Sequence, residues 1–214
     1  MNASMAAVLA WPLLVATIRW GSVGPLLVTA LAIMGSPGPA TISLTAATSA
    51  YGLRRSVGYM LGIIVGTTVV LVAVATGITA TILAVPALRA VLLGISAAYL
   101  LWLASRIATA PAPAAAQTPA APSLAGGTLL GVANPKAWVA ITAVFASARL
   151  ADTAMTDAAA KLVALSVMIV LIMGAWLVVG AFLAARLRHP VRARIVNIAL
   201  AVALVGATAL AILR

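Results

Sequence analysis

The chain has 214 residues, of which 65% are hydrophobic and only 7% charged, with a formal net charge of +11. A soluble domain of this size would carry roughly a quarter charged residues, so there is too little polar surface for a water-facing globule and lipid must be the solvent for much of the outside. With no cysteine, a single histidine (His189) and only two carboxylates (Asp152 and Asp157), the inventory excludes thiol redox chemistry, cysteine or histidine metal clusters and paired-carboxylate catalysis, and it calls for no cofactor.

In chain order, 1–21 reads as an N-terminal extension. Its apolar stretch is interrupted by Trp11-Pro12, has no basic residue before it and lacks a clear Ala-x-Ala site, which argues against a signal peptide. It either lies on the membrane surface or precedes a start further downstream.

A bilayer core needs about 20 apolar residues as helix. Six runs qualify: 23–48, 56–81, 88–107, 124–148, 158–185 and 195–213. Between the first two lies a short polar turn, Tyr51-Gly52-Leu53-Arg54-Arg55, and between the next two a tighter one, Val85-Pro86-Ala87 with Arg89. Residues 108–123 (ATAPAPAAAQTPAAPS) hold four prolines and read as a flexible linker. Arg149 to Thr156 form the next break, with both aspartates assigned to that loop and Thr156 or Asp157 capping the helix after it. The last break is the arginine-rich RLRHPVRAR, from Arg186 to Arg194, with His189 solvated.

The basic residues sit at the ends of apolar runs and not in one patch with aromatics, so they point to lipid headgroups and not to nucleic acid. Placing the N-terminus outside puts Arg54, Arg55, Arg106, Arg186, Arg188, Arg192 and Arg194 inside. Arg19, Arg89, Arg149, Lys161 and Arg214 then fall outside, with both aspartates. The bias favours a plasma-membrane protein with both termini outside.

Two runs carry proline clusters well within their apolar length. The first contains Gly35-Ser36-Pro37-Gly38-Pro39, where two prolines remove two backbone donors and the helix should unwind or kink. The fourth contains Ala133-Asn134-Pro135-Lys136-Ala137-Trp138. The first helix of each three-helix half is therefore interrupted. Because three is odd, the halves 22–107 and 124–214 insert with opposite topology, as in inverted-repeat transporters whose broken helices meet at a midplane site. The expected fold is an all-α integral membrane protein of six transmembrane helices arranged as two inverted three-helix repeats.

With Arg89, Arg106 and Lys161 taken as charges at the ends of their runs, Lys136 is the only charge well inside one. It lies about 18 Å into that run at helical rise. An interior lysine there would attract a carboxylate or other anionic group, and Asn134 beside it offers both a donor and an acceptor. Thr41, Ser43 and Thr45 follow the first break and either bond back to freed carbonyls or line a path. Gly58, Gly62 and Gly66 share one face of the second helix, where small residues permit close helix packing. Tyr99 and Trp102 read as interface anchors.

Pro37-Gly38-Pro39 and Asn134-Pro135-Lys136 resemble the two signature motifs of the LysE/RhtB family of amino-acid exporters. Gly52 with its arginine pair, the Gly58, Gly62 and Gly66 series, Gly94-Ile95-Ser96-Ala97-Ala98-Tyr99-Leu100 and Trp176 extend the resemblance from about residue 23 to the C-terminus. The resemblance implies a secondary transporter that exports amino acids or related small metabolites across the plasma membrane and draws on an ion gradient. Pro37, Gly38, Pro39, Thr41, Asn134, Pro135 and Lys136 are then substrate-binding or gating residues. Two positions depart from the family: Ala40 stands where relatives often have Asn or Asp, and Met173 where they commonly have Asp. Both departures point to a less cationic solute. The expected partners are a small solute and the lipid bilayer, with a coupling ion and self-association into a homo-oligomer allowed. The competing reading is a non-transporting membrane subunit or scaffold; a membrane enzyme has almost nothing to be built from.

Overall fold

Proline opens four of the eight helices among the described residues, because its missing N–H costs nothing at the first helical position and its fixed φ suits a helix start. The computed structural model describes residues 17–77, 86–109, 122–186 and 190–213. Its helices are α1 (Trp20–Met34), α2 (Pro39–Tyr51), α3 (Leu53–Ala75), α4 (Pro86–Ala108), α5 (Leu124–Ala133), α6 (Pro135–Ser147), α7 (Ala154–Arg186) and α8 (Pro190–Leu213). No strand occurs among the described residues.

α3 and α7 are each long and apolar enough to cross a membrane. α1 with α2 and α5 with α6 qualify as pairs, bent by 65° and 58° at their breaks. α4 and α8 contribute shorter apolar segments, Leu93–Ala108 and Arg194–Leu210. The outward faces are apolar, as at Val28, Leu31, Val167, Val170, Leu171 and Val178, which suits lipid as the surrounding medium.

α2 is the innermost element: every residue from Pro39 to Tyr51 except Ile42 is buried. Its alanines, serines and threonines are small enough for α3, α4, α7 and α8 to pack around it. Gly52, with φ of +86°, makes the turn into α3 alone, so the expected polar turn shrinks to a single residue in a conformation that favours glycine. The Tyr51 hydroxyl then donates to the Arg106 carbonyl at 3.4 Å, bringing Arg54, Arg55 and Arg106 to one end of the bundle. Arg186, at the end of α7, joins them, and this is called the basic end below.

At the opposite end the Arg19 N–H donates to the Leu150 carbonyl at 2.8 Å, and the Arg19 guanidinium pairs with Asp152. Several expectations change here. Lys161 is not a loop charge: it is 3% exposed within α7, and its ammonium donates to Asp157 at 2.7 Å one turn earlier. Asp157 also lies in the helix, where it accepts the Leu150 N–H. Lys136 is therefore not the only charge inside an apolar segment. Thr153 is the residue that caps α7, its hydroxyl accepting the Thr156 N–H at 3.2 Å, so the helix begins four residues earlier than its apolar run. α8 begins at Pro190, which moves Arg192 and Arg194 from the arginine-rich loop into helix. Of the linker, Ala108 ends α4 and Ser123 caps α5 by accepting the Gly126 N–H at 3.1 Å. Residues 110–121, like 1–16, 78–85, 187–189 and 214, lie outside the described residues.

The tightest helix pair is α3 against α5. A Cβ added at Gly62 would collide with the Leu124 carbonyl, and one at Gly66 with the Thr128 carbonyl. The approach is reciprocal: a Cβ at Gly131 would lie 2.7 Å from the Ile63 carbonyl and 2.8 Å from Gly66 Cα. Gly127 meets the Tyr59 carbonyl in the same way. Gly58 does not belong to this interface, since a Cβ there meets nothing within 4 Å. The glycines that partner Gly62 and Gly66 are Gly127 and Gly131, which the spacing along α3 does not reveal.

Candidate functional site

Each break frees backbone carbonyls that lipid cannot satisfy, so every one needs a donor from within the bundle. At the first break, Gly35 N–H closes the last turn of α1 onto Leu31 at 3.0 Å and the Ser36 hydroxyl donates to the Ile33 carbonyl at 2.8 Å. The Gly35 carbonyl accepts Trp176 Nε1–H from α7 at 3.1 Å. The Ser36 carbonyl accepts Lys136 Nζ from α6, which also donates to Ser36 Oγ at 2.8 Å and to the Pro37 carbonyl at 3.3 Å. On the α2 side, Thr41 Oγ1 accepts the Gly38 N–H at 2.9 Å and lies 3.1 Å from the Gly38 carbonyl, to which it can donate.

The second break is organised by Asn134. Its side-chain oxygen caps α6 by accepting the Lys136 N–H at 3.1 Å, and its carbonyl accepts the Ala137 N–H at 3.0 Å. Trp138 folds back so that Nε1–H reaches the Val132 carbonyl of α5 at 2.7 Å. Trp138→Phe keeps an aromatic ring, though a smaller one, and orphans that carbonyl. It is expected to cost about 1–3 kcal/mol of stability, read as a lowered melting temperature in detergent.

Lys136 thus spans from one break to the other. Gly38 makes room for it: a Cβ there would sit 3.0 Å from Lys136 Nζ. The ammonium has carbonyl and hydroxyl dipoles around it but no carboxylate, because Asp157 is held by Lys161 at 2.7 Å and Asp152 by Arg19. The chain has no other acidic side chain.

Beside Lys136 lies a narrow cavity of about 40 Å³, room for roughly three waters. Gly38, Thr41, Asn134 and Lys136 all line it, as the sequence expectation grouped them. The Pro37 carbonyl contacts Lys136, whereas Pro39 and Pro135 start α2 and α6 and do not line the cavity. Thr67 of α3 and Ile169, Ile172 and Met173 of α7 also line it, with Met34 of α1 and Ala137, Ala140 and Ile141 of α6. Nothing local marks Thr67, Ile169 or Ile172; their helices meet the site only through tertiary packing. Trp138 and Trp176 were equally unmarked as carbonyl donors. Ala40 and Met173, the two departures from the family pattern, both line the cavity. Net positive charge, one amide and one or two hydroxyls facing an apolar wall can hold the anionic group of a small solute. Among the described residues the site offers no nucleophile with a base beside it and no metal-ligand cluster.

The family described as LysE type translocator matches residues 31–213, a span that includes both breaks and the whole cavity wall. Over 87 residues the chain is 40% identical to the proteins named "Cysteine/O-acetylserine efflux protein" from Salmonella choleraesuis, Salmonella typhi and Salmonella typhimurium. That match covers 40% of this chain and 42% of each relative, so the chain spans about two fifths of the length of the curated relatives it matches. No solved structure matches it. With most of its length matched and both broken helices inside the match, the chain belongs to the LysE type translocator family, a family of multi-pass membrane transporters and not of enzymes.

Proposed function

We propose that this protein is a secondary exporter of small amino acids or related metabolites that carry a carboxylate but no strongly basic side chain. The observation that supports this most is Lys136: a part-buried cation in the wall of the cavity, bonded to carbonyl and hydroxyl oxygens, while both carboxylates of the chain are paired elsewhere. A solute carboxylate would supply the missing counter-charge, and the absence of acid at Ala40 and Met173 leaves nothing to hold a second positive charge. The relatives' named solutes, cysteine and O-acetylserine, fit that chemistry.

In this reading Pro37, Gly38, Pro39, Thr41, Asn134, Pro135 and Lys136 bind or gate the solute. Residues 22–107 and 124–214 act as inverted three-helix repeats joined by the 108–123 linker, with the N- and C-termini outside and the basic end inside. The two bent pairs, α1–α2 and α5–α6, support the repeat. The cavity, with room for only about three waters, corresponds to a contracted state that must widen to take an amino acid. Transport draws on an ion gradient. Membership in a family of translocators speaks against the reading as a non-transporting subunit.

The test is efflux from cells or vesicles loaded with labelled solutes. O-acetylserine should leave in a saturable, protein-dependent manner that stops when the ion gradient is collapsed, while lysine and arginine should move at least tenfold more slowly, a difference of about 1.4 kcal/mol or more. Robust lysine or arginine export would overturn the assigned solute class, and no movement of any amino acid would overturn the exporter reading.

A further inference from the structure

Beyond the cavity, α2 and α7 continue side by side toward the basic end. Thr41, Thr45 and Thr48 are spaced four and three residues apart, so they share one face of α2. Thr41 lines the cavity. One turn further, Thr45 Oγ1 donates across to the Trp176 carbonyl of α7 at 3.3 Å. One turn beyond that, Thr48 is 0% exposed and its hydroxyl has no hydrogen-bond partner.

A threonine inside a helix ordinarily bonds back to a carbonyl of the preceding turn. Thr208 does so with Leu204 at 2.7 Å, and Thr128 with Leu124 at 3.1 Å. Thr48 does not, although its neighbours Ala46, Ala47 and Ala50 show that alanine packs well in this helix. A hydroxyl that gains nothing from the closed packing is a cost there, since lipid offers it no partner. What Thr48 faces is Gly180 of α7, where an added Cβ would come within 2.7 Å of both Thr48 Cβ and the Thr45 carbonyl.

We infer that the α2–α7 seam lined by Thr41, Thr45 and Thr48 is the path of the solute between the cavity and the basic end, shut in this structure where Gly180 meets Thr48. The hydroxyls and the Trp176 carbonyl are neutral donors and acceptors, suited to passing a small zwitterion along without holding it. Gly180 lets the two helices close with no side chain between them. The inference rests on the exporter reading, and the experiment below separates the two.

The chain has no native cysteine, so single cysteines report alone. Thr45→Cys, Thr48→Cys, the equally buried Ala46→Cys on another face of α2, and the exposed Arg54→Cys marking the basic end are treated with methanethiosulfonate ethyltrimethylammonium from either side of membrane vesicles. Thr45→Cys and Thr48→Cys should react from the side that modifies Arg54→Cys, roughly tenfold faster than Ala46→Cys, because access there needs only local opening. O-acetylserine should slow both. Gly180→Ala, whose methyl wedges the seam, should speed modification at Thr48→Cys. Unreactive threonine positions, or rates equal to Ala46→Cys, overturn the inference. O-acetylserine export is measured in the same vesicles. Export with both positions unreactive overturns the seam alone; reactive positions with no wild-type export overturn the exporter reading, and with it the seam as a solute path, though the seam then still opens to water.

Discussion

Lys136→Met is expected to abolish export while leaving the protein folded in the membrane. An ammonium at the centre of a membrane helix costs on the order of 2.5–3.5 kcal/mol to insert, and the part-buried Lys136 costs up to that much, so removing it relieves a penalty. Against this, the part-buried Ser36 carbonyl loses its donor, at up to about 1–3 kcal/mol, and the exposed Pro37 carbonyl loses a weaker contact. The two terms are similar in size and opposite in sign, so stability should move little. Solute binding has no such offset. Truncating one member of a buried charge pair costs about 2–5 kcal/mol, or roughly 30-fold to more than 1,000-fold in affinity. Gly38→Ala separates charge from position. Its methyl would fall 3.0 Å from Lys136 Nζ and push a flexible side chain aside, so export should drop with the charge retained and the fold intact. The measurements are initial efflux rates normalised to monodisperse protein. Wild-type export by Lys136→Met would sink the site assignment, and aggregation of that variant would show the lysine to be structural instead.

Gly62→Leu is expected to leave no folded protein. The added side chain points at the Leu124 main chain, which cannot rotate away as a side chain could. Overpacking a well-filled core costs about 1–3 kcal/mol when neighbours can repack, and more when the obstacle is backbone. Here the whole α3–α5 contact must part, and with it the placement of Asn134 at the end of α5. Gly131→Leu should fail in the same way from the other side of the interface. Gly58→Ala, on the same face of α3 but with open space around it, should melt within about 0.5 kcal/mol of wild type. Thermal stability of the detergent-solubilised variants decides the matter. Equal tolerance at Gly58 and Gly62 would contradict the packing described above.

The breaks were legible because their cause is local. Proline lacks an N–H wherever the chain goes; Pro25 alone is carried within α1, but Pro37 and Pro39 beside Gly35 and Gly38, and Pro135 beside Asn134, break their helices. What the breaks do with their freed carbonyls was not legible. Lys136 reaches Ser36 across 100 residues of sequence, and Trp176 reaches Gly35 across 141. Such pairings depend on which helices are neighbours and how each is rotated, which one helix's periodicity does not contain. The same holds at α3, where Gly62 and Gly66 were visible as a small-residue face but Gly58 was wrongly included and Gly127 and Gly131 went unseen, because close approach belongs to two helices together. Lys161 shows how a sequence rule misleads. Basic residues near the end of an apolar run are usually loop charges, but Asp157 one turn earlier pairs with it and lets the helix start four residues sooner.

By itself, then, the sequence determined the solvent of this fold, the places where its helices break and the residues available for chemistry, since composition and proline act locally. The tertiary structure alone decided that the two breaks meet through Lys136, that Lys161 rather than Lys136 takes Asp157, and that α2 lies against α7 along a row of threonines, because each of these depends on how the helices pack and where they begin.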